Sequence, residues 1–125
     1  MKLLFSRQLL EVNNVLVEIR EKSFNAYQEI ESFENNLDIK GEYGASASFI
    51  EVTSMFLEYY PEMTEKQLNK ITNNAKEKWN LLEILLLHRI GHIDIGEHVV
   101  LVSVWSEHRK NAFDASRFIM EELKS

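Results

Sequence analysis

Hydrophobic spacing along the chain switches repeatedly between period two and the helical period, and the switches divide it into elements. Val15, Val17 and Ile19 fall on one side of an extended segment and predict a strand. Ala26, Tyr27, Ile30, Phe33 and Leu37 share a helical face, which predicts a helix over roughly 24–35, and Asn35, Asn36, Gly41 and Gly44 mark the loop after it. Residues 45–60 are strand-like throughout, with Ala45, Ala47 and Phe49 alternating with serines. As one strand they would extend on the order of 50 Å at ~3.3 Å per residue, too long for a domain of this size. Two strands with a break near Ile50-Glu51-Val52 are therefore expected, although the turn chemistry such a break needs is missing. Pro61 ends the second strand.

Thr64 and Gln67 form a capping box for a helix over 64–78, with Leu68, Ile71, Ala75 and Trp79 on its buried face. Leu81 to His88 is nearly continuous apolar, Gly91 to Gly96 is a turn region, and Val99 to Trp105 is apolar on both sides. The pair predicts an antiparallel hairpin buried on both faces. The last helix is expected from Ser106, as N-cap, to Lys124. Its predicted stripe is Ala112, Phe113, Ala115, Ser116, Ile119, Met120 and Leu123, with Lys110, Asp114, Arg117 and Glu121 opposite. Residues 1–13 fit a strand or a short helix. The element order defines an α+β domain: helices packed on a mainly antiparallel sheet.

The composition narrows the function. With 125 residues, 45% hydrophobic and 27% charged, the chain reads as one globular domain over 1–125. A formal charge of −6 argues against a nucleic-acid surface. With no cysteine, disulfides, thiolate metal sites and cysteine nucleophiles are excluded, so any sulfur the protein handles must arrive on a partner. No run has membrane-spanning length and Leu3-Leu4-Phe5 is too short for a secretory signal, so no membrane partner and a cytoplasmic location are expected.

Three groups of residues carry candidate chemistry. His108 and Arg109 project from the first turn of the last helix on its stripe side. A helix start suits a bound anion, but spacing alone is met as well by a packed His beside a snorkelling Arg. Lys124 lies 16 residues beyond His108, about 24 Å at ~1.5 Å per residue, so one helix cannot bring both to one small ligand. A site shared by them requires two copies of the chain. His88 and His92, with Asp94 nearby, have a spacing that binds metal on a helix, but here it straddles a strand end and Gly91, and no metal or cofactor is expected. Nucleophile-elbow, phosphate-loop and dinucleotide glycine patterns are absent.

His88-Arg89-Ile90-Gly91, then Gly96-Glu97, a valine-rich strand, and His108-Arg109-x-x-Ala112-Phe113-x-Ala115 together resemble the large, catalytic subunit of molybdopterin synthase. So does Leu57-Glu58-Tyr59-Tyr60-Pro61-Glu62-Met63-Thr64-Glu65-Lys66, and the resemblance spans roughly 14–125. It implies an α/β hammerhead fold and a heterotetramer built on a homodimer of large subunits. Each large subunit would dock a small ubiquitin-like sulfur carrier. The implied reaction is sulfur transfer from the carrier's C-terminal thiocarboxylate to cyclic pyranopterin monophosphate, giving molybdopterin. His108 and Arg109 match the family's His-Arg pair, which contacts substrate from the neighbouring large subunit. Lys124 matches the family's lysine at the reacting centre, in a charge-stabilising or proton-transfer role. Two departures stand out. The family's Gly-x-Val-Arg loop after the strand matching Ala45–Ile50 is missing, as is a Pro-x-Trp-Lys-Lys-Glu-like segment past Lys124 with a second active-site lysine. Both are expected to be mobile segments omitted from this sequence. The alternative is a non-catalytic dimeric scaffold of the same fold that docks the carrier.

Overall fold

A computed structural model describes residues 14–54 and 62–124. In chain order these form β1 (Val15–Arg20), α1 (Ala26–Asn35), β2 (Ala45–Val52), α2 (Glu65–Trp79), β3 (Glu83–Arg89), β4 (His98–Ser106) and α3 (Arg109–Leu123). The strands make one sheet in the order β1-β3-β4-β2. β1 lies parallel to β3, while the β3–β4 and β4–β2 pairs are antiparallel. The expected α+β architecture with a mainly antiparallel sheet is what forms.

The unbroken apolar runs of β3 and β4 put them at the centre. Every residue of β3 is buried, as is every residue of β4 after His98. Alternate side chains face opposite layers. Ile84, Leu86, Val100, Val102 and Val104, with Val15 and Val17 of β1, pack under Leu68, Ile71 and Ala75 of α2 and Ala112, Ala115, Ile119 and Leu123 of α3. On the other face, Leu85, Leu87, Leu101 and Trp105, with Leu16, pack under Ala26 and Phe33 of α1. The buried indole N–H of Trp105 donates to Glu34 Oε1 of α1 at 2.9 Å. Among the described residues, no helix is long and apolar enough to cross a membrane.

The helix starts follow capping chemistry. The Thr64–Gln67 box forms as expected: Gln67 N–H donates to Thr64 Oγ1 at 3.1 Å, and Thr64 N–H to Gln67 Oε1 at 2.8 Å. For α1, the Asn25 side chain accepts from the Tyr27 and Gln28 amides, and His98 Nδ1 accepts the Ala26 amide at 2.8 Å. The last helix differs from expectation. Ser106 is not its N-cap, because its backbone is still paired with Ala45 in the sheet. Its hydroxyl accepts from the His108 amide instead, and His108 occupies the cap position without a side-chain cap bond. Tyr27, expected on the buried face of α1, is exposed, its ring standing 5.7 Å from that of His98. The break expected near Ile50-Glu51-Val52 coincides with a register shift between Glu51 and Val52, where β2 ends. The strand expected beyond it, and Pro61, fall on 55–61, outside the described residues.

His88, on the α2–α3 face, is 4% exposed and its Nδ1–H donates to the Arg89 carbonyl at 2.9 Å. Burial lowers its pKa from the ordinary 6.5, opposed by the Arg89 carbonyl and Glu62. The folded state therefore keeps His88 neutral where the unfolded chain begins to protonate. Its contribution to stability is complete above the unfolded value and is lost as pH falls below it toward the depressed folded value. Urea unfolding of wild type and His88→Leu across pH 5 to 8 should show wild type losing stability more steeply toward pH 5. Parallel pH profiles would refute the assignment.

Candidate active site

α3 leaves the end of β4 and runs back along β2, the strand at the edge of the sheet. Ala45 and Ala47 of β2 pack against the core beneath it. Phe49, two residues further on the same side of the strand, is 44% exposed. The buried stripe of α3 is Ala112, Ala115, Ile119, Met120 and Leu123, narrower than expected. Phe113, placed by its spacing on that stripe, is 67% exposed. It heads a second line of the helix at i, i+4, i+7 and i+11: Phe113, Arg117, Met120 and Lys124. This line and Phe49 wall a groove of about 480 Å³, with Asp114, Ser116 and Glu121 on its margin.

The acids of the groove are paired. Lys110 Nζ donates to Asp114 Oδ2 at 2.8 Å, and this contact holds Lys110 above its ordinary value of 10.5. Arg117 Nε donates to Glu121 Oε2 at 3.2 Å. Lys124 is the C-cap of α3 and lines one end of the groove. Phe49, Phe113 and Met120 supply the apolar part of the lining beside it.

His108 and Arg109 stand at the other end of α3, both exposed. Neither packs into the core, so the reading of a packed His beside a snorkelling Arg does not hold. His108 Nε2 lies 3.9 Å from Glu107 Oε2. Neither residue lines the groove that Lys124 enters. Fifteen residues of helix, about 22 Å at ~1.5 Å per residue, separate the two ends. His88 and His92 do not converge either: His88 is buried, and His92 Nε2 pairs with Asp94 Oδ1 at 2.7 Å in solvent. Among the described residues no three His, Asp or Glu side chains are grouped to hold a metal. Sequence reasoning missed Phe49, Phe113, Arg117 and Met120 as a group. The available signal was their i, i+4, i+7, i+11 spacing with Lys124, which a single broad stripe concealed.

A domain with this order of strands, a two-sided buried hairpin and a terminal helix flanking an edge strand belongs to a recognisable class. Residues 28–125 match the family model described as MoaE protein, and the chain belongs to that family. The molybdopterin synthase catalytic subunit of Pseudomonas aeruginosa is 52% identical over 75 residues, which is 60% of this chain and 50% of that protein. That of Vibrio cholerae is 36% identical over 119 residues, 87% of this chain and 77% of that protein. The solved structure of a MoaE protein from Burkholderia ambifaria superposes with a TM-score of 0.73 at 29% identity, covering 87% of this chain and 76% of that one. The chain spans about half the length of several of the curated relatives it matches.

The turn that carries His108 and Arg109 packs closely on Gly44, at the start of β2. Its amide donates to the Ser106 carbonyl at 2.9 Å, and a Cβ built on it would stand 2.5 Å from the Glu107 carbonyl oxygen. Gly44→Ala should therefore push the start of β2 away from the turn that presents His108 and Arg109. Chemical denaturation should show a loss of about 1–3 kcal/mol, the scale of overpacking. An unchanged midpoint would show that the turn yields freely.

Proposed function

We propose that residues 1–125 form one domain of the catalytic subunit of a molybdopterin synthase, acting in the cytoplasm as the homodimeric core of a heterotetramer. It takes sulfur from the C-terminal thiocarboxylate of a small ubiquitin-like carrier subunit. It delivers that sulfur to cyclic pyranopterin monophosphate, a small-molecule pterin, in molybdenum cofactor biosynthesis. The observation that carries this reading is the place of Lys124 at the end of a groove walled by Phe49, Phe113 and Met120. The name shared by the relatives, a catalytic subunit, supports a partner subunit. The absence of cysteine supports a sulfur that arrives already bound to that partner.

Each transfer forms a carbon–sulfur bond on the pterin in place of a carbon–oxygen bond, whose oxygen leaves as water or stays on the phosphate. It breaks the carbon–sulfur bond of the thiocarboxylate, where a water oxygen leaves the carrier with an ordinary carboxylate. The sulfur is the nucleophile. Lys124 attracts the thiocarboxylate anion and meets the charge or the proton that shifts as the bond breaks. His108 and Arg109 bind the substrate from a second copy, since the length of α3 keeps them from their own Lys124.

A second reading, the carrier-docking scaffold, is favoured by one observation. β2 continues through Ile50, Glu51 and Val52, opposite Leu101, Val100 and His98, where the resembled family places its arginine loop.

Lys124→Ala should lower the turnover of thiocarboxylated carrier and substrate by about a hundredfold or more, read from the fluorescence of the oxidised pterin product. Calorimetry should show that the carrier still binds. Wild type as inactive as the variant, with the carrier still bound, would establish the scaffold instead. Arg109→Ala should raise KM for the pterin by about tenfold, the scale of one charge-assisted hydrogen bond; an unchanged KM would remove Arg109 from the site.

A further inference from the structure

Glu34, in the last turn of α1, connects to the turn that presents His108 and Arg109 by two routes. Its carboxylate accepts the Trp105 indole N–H at 2.9 Å. Trp105 is fully buried, its ring 5.2 Å from that of Phe33. It is the last residue but one of β4, and the next, Ser106, accepts the His108 amide on its hydroxyl. The second route runs through Tyr43, two residues before β2, which packs against the cluster of Phe33 and Trp105. Burial, then the charge of Glu34 and a hydrogen bond to it, raise the Tyr43 phenol above its ordinary 10.0. Gly44 follows Tyr43, and its amide donates to the Ser106 carbonyl at 2.9 Å. One carboxylate thus holds the end of β4 and the approach to β2. A charged acceptor makes the stronger hydrogen bond, and the buried Trp105 N–H has no water to turn to if that acceptor is lost. His108 makes no side-chain cap bond, so the backbone leading into it sets where the pair stands.

We infer that Glu34 is a positioning residue of the proposed reaction: by holding Trp105 and Tyr43 it sets the turn 106–108, so that His108 and Arg109 meet the pterin substrate. The inference rests on the substrate-binding role proposed for that pair above. Glu34 touches no substrate and acts through the backbone of the turn. Lys124 stands at the far end of α3, beyond the reach of this effect.

The test is steady-state kinetics of the intact enzyme with thiocarboxylated carrier and pterin, run beside Arg109→Ala. Glu34→Ala should raise KM for the pterin by about fivefold and leave kcat within about twofold of wild type, because binding is disturbed and the chemistry is not. A loss of folded enzyme does the reverse, lowering the apparent kcat and leaving KM alone. Glu34→Gln, which keeps an acceptor oxygen, should recover most of the affinity. Trp105→Phe, which removes the donor, should reproduce the KM effect and decides the question if Glu34→Ala does not fold. With KM raised in Arg109→Ala, an unchanged KM in Glu34→Ala, a fall in kcat alone, or no recovery by Glu34→Gln would overturn the inference and leave the site standing. An unchanged KM in both Arg109→Ala and Glu34→Ala, or a wild type without turnover, would overturn the site reading and the inference with it.

Discussion

Burial of the β3–β4 hairpin on both of its faces is the constraint from which the rest of the architecture follows. Side chains from Ile84 to Leu87 and from Val100 to Val102 are almost fully removed from water. A strand pair that is apolar on both sides cannot be an edge or a surface layer, so each face must be covered. α2 and α3 cover one face and α1 the other. Truncating one of these leucines to alanine would cost on the order of 2–5 kcal/mol, a large share of the stability of a domain this size. The same constraint sends β1 and β2 to the outside of the sheet, and so places Phe49 beside α3 at an open edge.

The hairpin turn is held by a buried charge. Arg89, 7% exposed, donates to the Glu21 carbonyl at 3.2 Å, the His92 carbonyl at 2.8 Å and Glu97 Oε1 at 3.3 Å. Glu97 also accepts the Asp94 amide at 2.8 Å. Removing the guanidinium would strand a partly buried carboxylate and two carbonyls together, so the cost exceeds that of one exposed ion pair. Together with His98 under the first turn of α1, this cluster fixes the end of the sheet farthest from His108.

The elements with strong periodicity or capping signals were legible. The capping box of α2, the two-sided hairpin and the alternation of β1 all form where spacing puts them. The misreadings have local causes. Ser106 is a good N-cap by type, but the pairing with β2 continues to it and the helix starts only at Arg109, which puts His108 in the cap position. Phe113 falls within 100° of Ala112, so a wheel assigns both to one face. Two small alanines at Ala112 and Ala115 draw the helix close to the sheet and leave Phe113 outside. The groove was not legible because it pairs a line of α3 with Phe49, more than sixty residues away, and only tertiary packing joins them.

α3 works as a ruler. Its first residues and its last belong, under the proposed arrangement, to two different sites, and a rigid rod fixes both the span and the angle between them. A single inserted residue would add about 1.5 Å and swing everything beyond it by about 100°, turning Lys124 off the groove while the core stripe was also broken. Substitutions at solvent-facing positions such as Lys110 leave that span and angle alone. Sequence drift along this helix is therefore expected in its letters and not in its length.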